Sequence, residues 1–215
     1  MTGIVICGYA RSAFTPAKKG QLAKTRPDDL AAEVVKGLIE ETKINPNDVE
    51  DLILGCAFPE AEQGMNLARN VVFLSGLPNS VGGVTVNRFC ASSMQAIHQA
   101  AGAINSGSGD LFIAGGVESM SRAPFVMAKG QTAFDRGCEI HDTTIGWRFT
   151  NPKLSELYHP FSMGETAENL ANDGQISREE QEEFAIQSHE KALKSQSEGK
   201  FDQEIIPVNL ADGST

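Results

Sequence analysis

Four cysteines stand at positions 7, 56, 90 and 138, none in Cys-x-x-Cys spacing, so neither a zinc site nor a disulfide framework is indicated. Cys90 differs from the others in its neighbours. It stands where the strand-like run GVTVNRF gives way to the helix-like run CASSMQAIHQAAGAINSG. At a helix start, unpaired backbone N–H groups converge with the positive end of the macrodipole, and both stabilise an anion. The same N–H groups can bond the oxyanion formed when a sulfur attacks a carbonyl. A cysteine so placed suits acyl transfer. A small buried hydrophobe, which is what most free cysteines are, is the other reading open on position alone. Cys7 in a buried strand and Cys56 at a strand end are read as packing residues, and Cys138 lies in an irregular stretch. His98, two turns into the same helix, reads as a satisfied core histidine; His141, His159 and His189 carry no motif.

The elements that must position Cys90 alternate in type. GIVICGY (3–9) is a short β-branched run and reads as a buried strand. PDDLAAEVVKGLIEETKI follows, with Leu30, Val34 and Leu38 at helical spacing and Asp28 or Asp29 as a natural N-cap. DLILGCA, GVTVNRF and DLFIAGGVES read as further strands, and NLARNVVFLSG as a helix. In the helix after Cys90, the stripe Met94, Ile97, Ala101 and Ile104 is expected to face the core, with the small residues Ala96, Ala100 and Ala103 allowing close packing on another side, making that helix a buried one. Strands alternating with helices imply a layered α/β fold with a mostly parallel sheet.

After residue 119 the character changes. Residues 120–162 are rich in Gly, Pro and aromatics, and two helices follow, MGETAENLAND and SREEQEEFAIQSHEKALKSQ, the second opened by a Ser177–Glu180 capping box. EIIPVNL reads as a strand remnant. Two domains are expected, 1–119 and 120–215.

Net charge is −10 over 215 residues and the pI is about 4.9, which argues against nucleic acid or an anionic membrane as partner. No run reaches the roughly 18 apolar residues that span a bilayer, and the N-terminal run lacks a signal peptide's basic start. A reducing cytoplasm or organelle matrix is the default compartment, where thiols stay free.

Taken together, VNRFCASSMQAI, IAGGVESMS, SMGETAENLA, IVICGYARSAFTPAKKGQL and GMNLARN resemble the thiolase family in order and spacing, over essentially the whole chain. The resemblance implies a layered α/β/α N-terminal half with a largely helical loop domain. It implies acyl transfer from 3-ketoacyl-CoA to coenzyme A, or the reverse condensation, with the degradative branch favoured. Cys90 would carry the acyl group as a thioester, and its backbone N–H would help bind the oxyanion. Met163 and Gly164 would lie along the pantetheine arm of coenzyme A, with Leu154 and Ser162 as further wall; many relatives carry histidine where Ser162 stands. Met65 and Asn66 would reach toward a neighbouring subunit in a homo-oligomer, a dimer or tetramer. Their other reading is ordinary helix-start residues. Glu118 has two readings, a catalytic acid and a structural hydrogen-bonding residue, and the structural one is favoured. Coenzyme A enters as substrate; no permanent cofactor and no metal are implied.

Family members are about twice as long. Their second half supplies a GHP-type histidine, an NEAFA-type asparagine and a CxGGGxG cysteine, none of which occurs here. The chain is therefore expected to be an N-terminal half, inactive alone and ending before it returns to complete the first sheet. A related condensing enzyme of fatty-acid or polyketide synthesis, and a non-catalytic domain that binds coenzyme A or dimerises, are the alternatives.

Overall fold

A computed structural model describes residues 3–210 together with Gly213 and Thr215; residues 1, 2, 211, 212 and 214 of the two expected domains lie outside the described residues. The chain divides into one unit of Met1–Ala123 with Glu204–Thr215, and a second of Pro124–Gln203.

The first unit is built on a three-stranded parallel sheet. Its middle strand β1 (Asp51–Gly55) pairs with β2 (Gly82–Val86) on one side and β3 (Phe112–Gly116) on the other, with Ile53 opposite both Val84 and Ala114. Helix α1 (Pro27–Thr42) precedes β1, α2 (Leu67–Leu74) joins β1 to β2, and α3 (Ser92–Asn105) joins β2 to β3. The alternation of a strand sorts β1's side chains to two faces. Leu52 and Leu54 pack with Ala31, Ala32 and Val35 of α1 and with Leu67, Val71 and Val72 of α2, whereas Ile53 packs with Ala96 and Ala100 of α3. Helices thus cover both faces of the sheet, which is why β1 reads as a continuous apolar run.

Three details depart from the sequence reading. The N-cap of α1 is Arg26, with Pro27 in the first turn; Asp28 lies inside the helix, buried and bonded to the Arg26 guanidinium at 2.7 and 3.0 Å. The face that α3 turns to the sheet is the small-residue stripe Ser92, Ala96 and Ala100, while Met94 and Ile97 are 56% and 41% exposed. Small side chains win that face because the helix comes close to the strands. A Cβ added to Gly55 would overlap the Ser92 carbonyl carbon, and one added to Gly116 would overlap Ser93 Oγ. His98 is accordingly exposed, not a core residue.

Residues 3–10 form no strand among the described residues, and Val5, Ile6 and Cys7 are exposed. A strand is completed by a neighbour's backbone, and here pairing begins only at Arg11, which bridges Ile205 through Arg11 N–H to Glu204 O (2.7 Å) and Ile206 N–H to Arg11 O (2.8 Å). That bridge also brings the segment from Glu204 back to the first unit, where Ile206 and Val208 are buried. The observed boundary therefore lies at 123/124 and the last residues leave the second unit, unlike the expected split at 119/120. The returning segment makes its backbone bridge with Arg11 and, among the described residues, adds no strand to the β1–β3 sheet. Of EIIPVNL only Ile205 makes a bridge.

In the second unit, β4 (Phe125–Met127) and β5 (Ile140–Asp142) form an antiparallel pair, followed by α4 (Pro152–Leu157), α5 (Met163–Asp173) and α6 (Arg178–Ser197). Both α5 and α6 open with capping boxes, Ser162–Glu165 and Ser177–Glu180, in which each side chain bonds the other residue's backbone N–H. No described helix is long and apolar enough to cross a membrane.

Candidate active site

Cys90 lies just past the C-terminal end of β2, in the turn Asn87–Ala91 that leads into α3. The helix proper begins at Ser92 with Ala91 as N-cap, so Cys90 stands one residue ahead of the cap instead of within the first turn. In open parallel sheets, ligands gather beyond the carboxyl ends of the strands.

The turn is tight and strained. Phe89, immediately before the cysteine, has φ 48°, an unusual conformation for a bulky aromatic residue. Ser92 holds it there. Its N–H and its hydroxyl both donate to Phe89 O, at 3.0 and 2.6 Å, while its Oγ accepts from Arg88 N–H at 2.8 Å. From the other side Asn87 Oδ1 accepts from Phe89 N–H at 2.9 Å, and Asn87 Nδ2 donates to Ala57 O at 3.0 Å. The result is an exposed cysteine on a locked strand-to-helix corner.

The exit loops of β1 and β3 meet in a polar cluster at the same end of the sheet. Buried Gln63 donates from Nε2 to Glu118 Oε1 (2.5 Å) and to Phe58 O (2.9 Å), and its Oε1 accepts from Ser119 N–H (2.6 Å). Glu118 Oε2 accepts from Ala57 N–H at 2.7 Å. Cys56 is 1% exposed beside this group, and burial, aided by the Glu118 carboxylate, pushes its thiol up to about 12. That thiol is held protonated and out of reach. Glu118 has the structural hydrogen-bonding role its place after β3 suggested. Gln63 did not stand out in the sequence, because an amide in PEAEQG carries no periodic or motif signal; Asn87 lies within the VNRFCASSMQAI motif, but only Cys90 is assigned a role there.

A cavity of about 360 Å³ opens in this unit between residues 10–17, α1 and β3, lined by Leu30, Val34, Leu38, Ile113 and Phe14. Asn66 is the N-cap of α2, accepting from Arg69 N–H at 3.2 Å and donating to Gly83 O at 2.7 Å, so its local work is that of a helix-start residue. Met65 beside it is 95% exposed.

Within the second unit, Ser162, Met163 and Gly164 come together at the start of α5, with Ser162 Oγ accepting from Glu165 N–H at 3.2 Å. Met163 is 72% exposed, and a Cβ on Gly164 would meet only Ser162 Oγ, at 3.9 Å. Leu154 sits separately on α4, 38% exposed. Among the described residues, no group of three or more His, Cys, Asp or Glu could hold a metal ion.

Residues 4–215 match the family model for the thiolase N-terminal domain. The chain is similar to the beta-ketoadipyl-CoA thiolase of Pseudomonas putida, with 48% identity over 98% of this chain and 53% of that protein. It is similar to the 3-oxoadipyl-CoA/3-oxo-5,6-dehydrosuberyl-CoA thiolase of Escherichia coli K12, with 50% identity over 89% of this chain and 48% of that protein. Among solved structures it is similar to the Bacillus anthracis acetyl-CoA acetyltransferase, with a TM-score of 0.81 and 36% identity over 95% of this chain and 50% of that one. The chain spans about half the length of the curated relatives it matches.

Proposed function

The chain belongs to the thiolase family, and on that premise we propose that the protein carrying it cleaves 3-ketoacyl-CoA with coenzyme A through an acyl thioester on Cys90. The Cys90 thiolate attacks the C3 carbonyl. The C2–C3 bond then breaks, its electron pair leaves with acetyl-CoA as an enolate, and that carbon takes up a proton. A coenzyme A thiolate next attacks the acyl-Cys90 thioester and releases both acyl-CoA and the Cys90 thiolate. The reverse order gives condensation. The observation that carries this reading is the exposed cysteine on the Ser92-locked corner beyond β2, inside a family match that runs from residue 4 to 215.

Other parts of the reading rest on likeness. Cys90's backbone N–H contributes to oxyanion binding. Met163, Gly164, Leu154 and Ser162 form the wall for the pantetheine arm, a reading supported by the exposure of Met163, Gly164 and Leu154 in the second unit, beside half-buried Ser162. Met65 and Asn66 approach a second copy of the chain in a homo-oligomer, a reading supported by the exposed Met65 side chain. The proton shuttle at the substrate's α-carbon falls to the second half that longer relatives possess. The compartment is the cytoplasm or an organelle matrix, where a free thiol persists.

The substrate proposed is a 3-oxodicarboxylyl-CoA of the β-ketoadipyl type, because the similar proteins from P. putida and E. coli are named for it. Steady-state thiolysis by the full-length protein tests this, with β-ketoadipyl-CoA and acetoacetyl-CoA compared under the same conditions. A higher kcat/KM for β-ketoadipyl-CoA is expected. Equal or lower values would remove the substrate assignment, and no cleavage of either would remove the activity.

A further inference from the structure

The corner that bears Cys90 is tied to the two other strand ends by an unbroken relay of hydrogen bonds. Phe89 N–H donates to Asn87 Oδ1 (2.9 Å), and Asn87 Nδ2 donates to Ala57 O (3.0 Å). Ala57 is held at its other end, where its N–H donates to Glu118 Oε2 (2.7 Å). Glu118 Oε1 in turn accepts from Gln63 Nε2 (2.5 Å). Gln63 closes the relay on the backbone, through Ser119 N–H to its Oε1 (2.6 Å) and its Nε2 to Phe58 O (2.9 Å).

We infer that Gln63 is a positioning residue for Cys90, acting through Glu118, Ala57 and Asn87. The inference rests on the acyl-transfer reading given above. Its physical basis is that the relay has one workable arrangement. Ser119 N–H can only donate and the Glu118 carboxylate only accept, so turning the Gln63 amide over would set donor against donor and acceptor against acceptor. Gln63 is 6% exposed, so its own turned amide could not exchange those contacts for water. One orientation of one buried amide thus fixes the exit loops of β1 and β3, and through Ala57 it fixes Asn87. Asn87 fixes Phe89 N–H, the peptide group one residue before the cysteine. Phe89 sits at φ 48° and would relax if either side let go, moving the sulfur and its backbone N–H away from a reacting carbonyl. Displacements of an ångström at a reacting centre cost up to about 10²-fold in rate.

The test separates an oriented reaction from an unoriented one at the same sulfur. Acetyl-CoA exchanges its acetyl group onto Cys90 with release of coenzyme A thiol, a step that needs an aligned carbonyl and a bound oxyanion. Iodoacetamide alkylates the same sulfur with no carbonyl attack. Single-turnover acetylation and alkylation of Cys90 are measured in the full-length protein, in Gln63→Ala and in Asn87→Ala. Both variants should acetylate roughly 10- to 10²-fold more slowly, with alkylation reduced by a clearly smaller factor, and the double variant should be no slower than the slower single one. A purely structural role would lower both reactions alike. Asn87 is exposed, so Asn87→Ala decides the relay even where Gln63→Ala does not fold. Unchanged acetylation in the variants, or equal losses in both reactions, overturns the inference alone. A wild-type protein that takes no acetyl group overturns the acyl-transfer reading, and this inference with it.

Discussion

Gly55 and Ser92 touch where β1 meets the start of α3: a Cβ at Gly55 would overlap the Ser92 carbonyl carbon and the Ser93 nitrogen. The missing side chain lets the helix settle against the strand end. Ser92 can then keep its grip on Phe89 O, and Cys90 is held in its exposed position.

Gly55→Ala should therefore cost more than an ordinary strand substitution. Overpacking against backbone atoms that cannot yield typically costs about 1–3 kcal/mol. Urea unfolding should show a lower midpoint at unchanged slope, with slower acetylation of Cys90. A midpoint within error of wild type would show that the helix start has room to shift.

The four thiols should separate in a labelling experiment. Cys56 is buried, with its thiol pushed up to about 12, so native protein at pH 8 should leave it unmodified, and denaturation should expose it. Among the exposed thiols Cys7, Cys90 and Cys138, limiting iodoacetamide should modify Cys90 first, because it stands just ahead of the N-terminus of α3. Peptide mapping checks both orders, and prior labelling of Cys56 in folded protein would contradict the packing at the end of β1.

Acid should weaken the first unit through Glu62. Its carboxyl is held below the ordinary value of 4.5, chiefly by the Arg122 guanidinium bonded to it, with Arg26 adding a second ion pair at 3.1 Å. The folded state thus binds this proton more weakly than the unfolded chain does. The stabilisation is complete above pH 4.5 and is lost as pH falls through the lowered folded value. Thermal unfolding followed from pH 7 to pH 3 should show a shallower loss of stability in Glu62→Gln than in wild type. Identical slopes would place the acid sensitivity elsewhere.

Much of this arrangement was legible in the residues themselves. DLILG and GVTV announce strands because β-branched and aliphatic side chains fill a short run, and Ser177 with Glu180 announces a helix start, because a capping box is satisfied within four residues. What failed depended on partners far away in the chain. GIVICGY has strand composition, but a ladder is made by a neighbour, and pairing starts only where Arg11 meets Ile205. On α3 the sequence offers two possible faces, Met94–Ile97 and Ser92–Ala96–Ala100. Gly55 and Gly116, on other strands, decide for the small one. Gln63 was invisible for a similar reason: its bonds reach Cys56, Phe58, Glu118 and Ser119, and nothing local in PEAEQG marks an amide that will be buried among them.

Trapping the thioester shows whether Cys90 carries the acyl group. The full-length protein is incubated with acetyl-CoA, quenched in acid and mapped by peptide mass spectrometry, before and after a chase with coenzyme A. One acetyl group is expected on the peptide containing Cys90, removed by the chase and absent from Cys90→Ala, which should also lose thiolysis. An acetyl group on another residue, or a Cys90→Ala protein that turns over at the wild-type rate, would contradict Cys90 as the acyl carrier.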